Sequence, residues 1–361
     1  MRASFPYRLS RTIRAAYLSV LTCLLGSGAL SGAGPHAKAE DVPSSQREVT
    51  FVGANEVKLA GTLLIPAHQS AAKVPGVILV AGSGPTDRDG NSALLGVKIN
   101  LLKQIADQLA EEGIASLRYD KRGQYASGAA PKDRQSLLAF TAWENYVGDA
   151  VGALAYLQEQ VEIDASRTAM IGHSEGGMLV LQAAVPGQGL RNPPAALVLA
   201  STPGRQAEVI LREQLGRDLI ARFFLKKNDE IMAAIKQTGQ VPGDIPPVLA
   251  GLYPPGIGKF AQGMFNFDGP ARASRFPGPV LLLSGEKDLQ HVVAQETAAL
   301  SAGLKKRQPD DHEVFIAPGA SHNLKRVKSD NDHAFGGDLT PEVAAKLRSW
   351  LANKLRRTIE K

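Results

Sequence analysis

The segment Gly172-His173-Ser174-Glu175-Gly176-Gly177 narrows most sharply what this chain can fold into. The apolar run at residues 168–171 leads into it, and the apolar, helix-compatible stretch at 178–184 leaves it. A strand that turns at once into a helix leaves no room at the turn. Glycines on either side of Ser174 remove the Cβ atoms that would clash there. A serine held in such a turn has strained backbone, and its hydroxyl is pushed outward. The amides at the start of the following helix favour negative charge nearby. The pentapeptide Gly-x-Ser-x-Gly is common by itself, and strand before and helix after give it meaning. Ser174 is therefore the candidate nucleophile.

A strand feeding a helix needs neighbours of the same kind, and the chain supplies them. Residues 49–52 and 58–65 are β-rich around Gly53-Ala54-Asn55 and predict a hairpin. Residues 77–80 form a short apolar run bounded by Gly76 and Gly82, the pattern of a buried strand. Leu94, Val97, Leu101, Ile105 and Leu109 have helical spacing and predict a helix over 94–109, with Gly113 as its stop. Strands are expected at 114–119, 168–171, 195–199, 280–283 and 314–316. Helices are expected at 143–157, 178–184, 295–304 and 341–355. The alternation implies a mostly parallel sheet covered by helices on both faces. The rhythm breaks at 203–275, where helical pieces at 209–224 and 229–236 precede a stretch rich in Pro and Gly. That insertion is expected to form a helical cap over the strand ends and to shape the pocket. The expected organisation is a leader at 1–39, a first part of the core at 40–202, the cap at 203–275 and a second part of the core at 276–361.

The leader has the three-part layout of a secretory signal. Arg2, Arg8, Arg11 and Arg14 give it a positive start, an apolar run extends from Ala15 to about Leu30, and Ala37-Lys38-Ala39 supplies a cleavage pattern before Glu40. The alternative is an uncleaved anchor, for which this glycine-interrupted run is short. Cys23 follows Thr22 inside the apolar run, which does not suit a lipoprotein site, and no adjacent arginine pair marks a twin-arginine signal. Removing the leader changes the bulk properties. Of the formal charge of +6, Arg2, Arg8, Arg11, Arg14 and Lys38 account for five with no acid to offset them, leaving about +1. The basic character is thus no argument for nucleic acid or anionic membrane as a partner. The one cysteine, Cys23, leaves with the leader, which excludes disulfides, a thiol nucleophile and thiolate metal ligation in the processed chain. Length (361 residues) and composition (44% hydrophobic, 21% charged) suit an ordinary core. The expected setting is the periplasm, with no stable membrane insertion after cleavage.

A serine hydroxyl needs a base, and in parallel α/β sheets functional residues gather at the carboxyl ends of strands. Past the strand at 280–283 comes Ser284-Gly285-Glu286-Lys287-Asp288. Asp288 is the first candidate acid, with Glu286 as the alternative. Past the last strand comes Pro318-Gly319-Ala320-Ser321-His322, which makes His322 the candidate base. His291 follows the acid closely, His312 precedes the last strand, and His333, in a polar loop, is the rival to His322. Two backbone amides are expected to form an oxyanion hole. One is that of Glu175, after the nucleophile. The other is that of Ser83, in the glycine-rich loop Ala81-Gly82-Ser83-Gly84-Pro85-Thr86-Asp87-Arg88-Asp89-Gly90-Asn91 after the third strand. Asp87, Arg88 and Asp89 are expected to brace that loop as an ion-pair and turn network; a substrate-binding role for Arg88 is the alternative. No His/Asp cluster with zinc spacing is visible, and no metal or cofactor is expected.

Taken together, these loops, with Arg118-Tyr119-Asp120-Lys121-Arg122-Gly123, resemble the α/β-hydrolase superfamily. Within it they are similar to the bacterial esterase branch related to S33-like serine aminopeptidase hydrolases and acyl-CoA thioesterases. The resemblance spreads over nearly all of the chain after the leader. It implies an α/β-hydrolase sheet with an inserted cap, and a triad of Ser174, Asp288 and His322. The sequence departs from the pattern at Tyr125, where the resemblance implies glycine; the expectation is either a narrowed site or a local loop change. The expected activity is hydrolysis of carboxylic esters on a small-molecule acyl substrate, through an acyl-enzyme and without a cofactor. Peptide, thioester or lactone cleavage and acyl transfer by the same triad are alternatives, since fold and triad do not set the substrate. A catalytically inactive binding module on this fold is an alternative of another class.

The leader yields the first testable outcome. Protein recovered from its native host should begin at Glu40 on N-terminal sequencing; an intact Met1 in the membrane fraction would show an anchor instead.

Overall fold

A computed structural model describes residues 41–356 apart from 71, 93–95 and 97. The leader and Cys23 lie outside the described residues. So do Leu94 and Val97 of the helix expected at 94–109.

The chain opens with β1 (Asp41–Val42), β2 (Ser45–Val52) and β3 (Lys58–Ile65). β2 and β3 form the expected antiparallel hairpin, while β1 pairs with β4 (His68–Gln69) in a separate ribbon. There follow β5 (Val74–Val80), α1 (Leu101–Glu111), β6 (Ala115–Tyr119), α2 (Arg134–Phe140), α3 (Trp143–Gln158), β7 (Ile163–His173), α4 (Glu175–Ala184) and β8 (Ala196–Ala200). Four helices come before the sheet resumes: α5 (Ala207–Arg217), α6 (Leu225–Thr238), α7 (Gly258–Phe265) and α8 (Gly269–Ala273). The chain closes with β9 (Val280–Gly285), α9 (Val293–Leu304), β10 (His312–Ala317) and α10 (Pro341–Lys354). Among the described residues the main sheet has eight strands, in the order β10-β9-β8-β7-β5-β6-β3-β2. The pairs from β10 through to β6 are parallel; β3 is antiparallel to β6 and to β2. This is the mostly parallel sheet flanked by helices that the sequence predicts.

Successive residues of a strand point to opposite faces, and the two cores divide accordingly. Val77, Leu79, Ala169, Ile171, Val198, Leu281 and Leu283 face α1 and α10, whose Leu102, Ile105, Leu109, Leu347 and Leu351 pack there. Ile78, Val80, Met170, Leu197, Leu199 and Leu282 face the other way, against Leu154 and Leu157 of α3, Leu179 of α4 and Leu300 of α9. Strands covered on both faces read as continuous apolar runs. Every residue of β6, β8 and β9 is accordingly buried.

Two local features differ from expectation. Within the helix predicted over 94–109, residues 98–100 are not helical and α1 starts at Leu101. Asn100 before it is left-handed, with φ 52°. Its amide donates to the Asn91 side chain, and the Asn91 amide group donates to Asn100 Oδ1. This local bonding competes with helix. α2, which the sequence reading does not predict, is short and has no fully buried residue; the amide of Ser136 donating to the Asp133 carboxylate at 2.8 Å starts it.

The segment at 203–275 is helical and has a small core of its own, with Leu215, Ile231, Met232, Ile235, Leu249 and Phe265 among its members. Its last part belongs to the main core: Phe260 and Phe267 pack on Trp143 at centroid distances of 5.2 and 5.9 Å. Gly263 lies so close that a Cβ there would stand 2.2 Å from Trp143 Cβ. No helix among the described residues is long and apolar enough to cross a membrane.

Trp143 therefore joins the inserted helices to the sheet. Trp143→Ala should lower unfolding stability by about 3–5 kcal/mol in urea titrations, the range for emptying a buried aromatic site. A loss below about 1 kcal/mol, as expected of surface positions, would show that this junction carries little.

Candidate active site

The parallel strands β5, β7, β9 and β10 end at the same edge of the sheet, and the loop after each carries one of the predicted residues. Ser174 follows β7 directly. Its φ of 54° and ψ of −123° lie outside the regions open to most L-residues. Its amide donates to the Ala200 carbonyl at 2.8 Å, and its carbonyl accepts from Gly177 at 2.9 Å. A Cβ on Gly176 would lie 2.3 Å from the Val80 carbonyl oxygen, which is why glycine is needed there. The sequence predicts an exposed hydroxyl, but Ser174 is only 8% exposed and lines a cavity. The loops around it rise above the turn.

Asp288 and His322 meet as predicted. His322 Nδ1–H donates to Asp288 Oδ2 at 2.7 Å. The proton on Nδ1 leaves Nε2 of the neutral ring as an acceptor. Asp288 Oδ1 accepts the amides of Gln290 and His291 at 2.7 and 3.1 Å. Burial alone would raise the Asp288 carboxyl. The hydrogen bond and electrostatic interaction with His322, with smaller contributions from His291 and the Gln290 amide, outweigh it, and the carboxyl is held below its ordinary range. Glu286 does not reach His322; its carboxylate accepts the Gly319 amide at 2.8 Å and so holds the loop that carries His322. His312 is the first residue of β10 and bonds Asp310. His333 lines the cavity with its ring stacked on Phe335.

Two histidines matter in ways their sequence positions do not disclose. His173 Nε2–H donates to the backbone carbonyl of His322 at 3.0 Å, so the residue before Ser174 holds the main chain of His322. His291 stands edge-on to the His322 ring at 4.9 Å, with Nδ1 3.9 Å from Asp288 Oδ2. Burial, then the neighbouring His322, pushes His173 down to about 3 and His291 down to about 4. The sequence shows no zinc spacing, yet the fold brings Asp288, His291 and His322 together. Their potential ligand atoms lie within 4.8 Å of one another, a set that could hold a metal ion. Two of the three are already joined by the 2.7 Å hydrogen bond.

Gly82, in the loop after β5, lies against Ser174: a Cβ on it would be 3.1 Å from Ser174 Cβ. Among the described residues no backbone carbonyl accepts the amide of Ser83 or of Glu175, so both are available to a ligand. Asp87, Arg88 and Asp89 do form a bracing network. Asp87 accepts the amides of Asp89 and Asn91, Arg88 grips Asp120 at 2.7 Å, and Arg118 Nε donates to Asp89 at 2.6 Å. Tyr125 has φ 47°, a conformation that glycine adopts more readily, and its hydroxyl donates to the Pro85 carbonyl. Neither Arg88 nor Tyr125 lines the cavity at Ser174.

That cavity is about 300 Å³. Ala81, Ile99, Leu101, Leu102 and Phe335 supply apolar wall, and Ser83, Thr86, Ser92, Gln290 and Asn323 supply polar wall. No residue of 203–275 lines it, which corrects the expectation that the insertion shapes this pocket. The insertion instead touches the loop that carries Asp288: Gln214 and Arg217 donate to the carbonyls of Gln290 and Leu289. Lys325, missed by sequence analysis, is buried and donates to the carbonyls of Ile99 and Phe335, fastening two walls together.

The chain is similar to known proteins in the same sense. The family model described as serine aminopeptidase, S33, matches residues 95–248, a stretch that holds Ser174 and stops short of Asp288 and His322. No curated protein matches the chain. Among solved structures, Est1E from Butyrivibrio proteoclasticus with ferulic acid bound is 16% identical with a TM-score of 0.55, over 86% of this chain and 100% of that one. An esterase from Pyrococcus furiosus is 15% identical with a TM-score of 0.53, over 86% and 90%. The esterase domain of a Rhodothermus marinus protein is 17% identical with a TM-score of 0.50, over 86% and 100%. Likeness at this level carries the fold, which is that of the α/β hydrolases.

The buried histidines imply a pH dependence. Folded His173 and His291 stay neutral down to about 3 and about 4, whereas unfolded rings titrate near the ordinary 6.5. A depressed folded value gives stability that is complete above 6.5 and lost as the pH falls below it. Each ring should cost on the order of 2 kcal/mol by pH 5. Urea unfolding at pH 7.5 and pH 5.0 should show this loss, and His173→Gln should diminish it; equal pH dependence in the variant would show that His173 does not contribute.

Proposed function

We propose that this chain, which has the α/β-hydrolase fold, is a serine hydrolase that cleaves carboxylic esters through an acyl-enzyme on Ser174. The observation that carries this is the convergence of four strand-end loops on one cavity, with Ser174 in a strained turn and an Asp288–His322 hydrogen bond beside it. His322 takes the Ser174 proton on Nε2 as the hydroxyl oxygen attacks the acyl carbonyl carbon. Asp288 holds the ring in the Nδ1–H tautomer and stabilises the imidazolium that forms. The amides of Ser83 and Glu175 receive the negative charge of the tetrahedral intermediate. The leaving alcohol takes the proton back from His322. Water, activated by the same base, then hydrolyses the acyl-enzyme.

The cavity lining supports an ester over an amino-terminal peptide. Recognition of a free α-ammonium calls for a buried carboxylate, since an unpaired buried charge is costly. Among the described residues that line the cavity there is no Asp, Glu, Lys or Arg. Mixed apolar and neutral polar walls suit an uncharged acyl group of modest size. The leader supports action outside the cytoplasm, in the periplasm.

The test combines variants with substrates. Uncharged p-nitrophenyl esters should be hydrolysed faster than amino-acid amides or acyl-CoAs; preference for the amides would move the assignment to a peptidase. Ser174→Ala should lower kcat by about three to six orders of magnitude, His322→Ala about as much, and Asp288→Asn less. The Ser174→Ala/His322→Ala pair should be no worse than either alone, because the two act as one unit. If His333→Ala abolished hydrolysis and His322→Ala did not, the base would be misassigned.

A further inference from the structure

The ion pair between Lys121 and Glu175 lies outside the triad. Both side chains are only 8% exposed, and Lys121 Nζ stands 2.9 Å from Glu175 Oε1. The same ammonium donates to the Gly82 carbonyl oxygen at 2.5 Å. Desolvating an ion pair costs about as much as its attraction returns, so stability alone gives no reason for it. Its position does. The Gly82 carbonyl belongs to the same peptide group as the Ser83 N–H, and that peptide is trans. In a trans peptide the C=O and N–H lie in one plane and point opposite ways. A cation fastened to the carbonyl therefore sets which way the Ser83 N–H faces. It also polarises the group, so that the N–H becomes a stronger donor.

The other end of the pair is as well placed. Glu175 carries on its own backbone the second amide free to meet an oxyanion. One ion pair thus ties the loop after β5 to the start of α4, at the two points where the donors sit. The residues flanking Lys121 are engaged elsewhere: Asp120 with Arg88, and Arg122 with Asp149 at 2.5 Å. Of these three, only Lys121 reaches the site.

We propose that Lys121, anchored by Glu175, is a positioning residue that orients and polarises the Gly82–Ser83 peptide as an oxyanion donor. This rests on the hydrolase assignment above and adds to it what aims one of the donors.

The test is ester hydrolysis by Lys121→Met, Lys121→Arg and Lys121→Met/Glu175→Gln, with rates scored per site titrated by a fluorophosphonate so that only folded sites count. The double variant leaves no unpaired buried carboxylate, which separates a folding defect from a catalytic one. Both Met variants should lose about 10- to 100-fold in kcat with KM within about threefold, and Lys121→Arg should recover part of the rate. Affinity for phenylboronic acid, whose serine adduct is tetrahedral, should fall in proportion to kcat. A double variant that turns over and binds the boronate like the wild type would overturn the proposal and make the pair structural. A wild type that neither labels nor hydrolyses would instead overturn the hydrolase assignment.

Discussion

Ser174 holds a backbone conformation, φ 54°, that costs a non-glycine residue about 1–3 kcal/mol, and much of the structure around it serves to keep it there. β7 is clamped between β5 and β8 in the middle of the sheet. α4 starts on the very next residue and packs back against the strand. Glycines permit this only because other atoms fill the space their side chains would take: a Cβ on Gly172 would strike the Gly176 carbonyl, and one on Gly177 would strike Thr202. The turn cannot relax without moving two strands and a helix. That rigidity lets a single hydroxyl be aimed.

Every other group at the site is fixed relative to this turn through main chain rather than through side chains alone. His173 bonds the carbonyl of His322. The loop that carries Asp288 is pinned to the loop that carries His322 by the Lys287 amide on the Ala320 carbonyl at 2.8 Å, and by Glu286 on the Gly319 amide. Lys121 ties the loop over the serine to the helix behind it. The insertion enters this scheme indirectly, through Gln214 and Arg217 on the acid loop. Changes within it should therefore act on the acid's placement before they act on substrate fit.

Much of this was legible in the sequence, for identifiable reasons. The parallel strands are short apolar runs with sharp ends, so their order and the loops after them could be read, and Ser174, Asp288 and His322 stand in those loops. Where local bonding overrides periodicity, as at Asn91 and Asn100, residues 98–100 depart from the helix that the spacing predicts. α2 has no fully buried residue and is short, so it does not stand out in the pattern. His173, Lys121 and Lys325 were not legible as site residues, because each bonds a backbone carbonyl far away in the chain that no motif encodes, and His291 was not, because its ring meets that of His322 only in the fold. The pocket wall was misjudged for a similar reason. Residues 203–275 look like a cap by composition, while the surfaces that close the cavity come from the loop after β5 and from His333 and Phe335.

The central claim is that Ser174 is a nucleophile activated by His322. Labelling the folded protein with a fluorophosphonate and mapping the adduct by peptide mass spectrometry tests it most directly. The expected result is one covalent phosphonyl group on Ser174, absent after urea unfolding and strongly slowed in His322→Ala. Folded protein that takes up no label, or carries it on another residue with Ser174 unmodified, would contradict the claim.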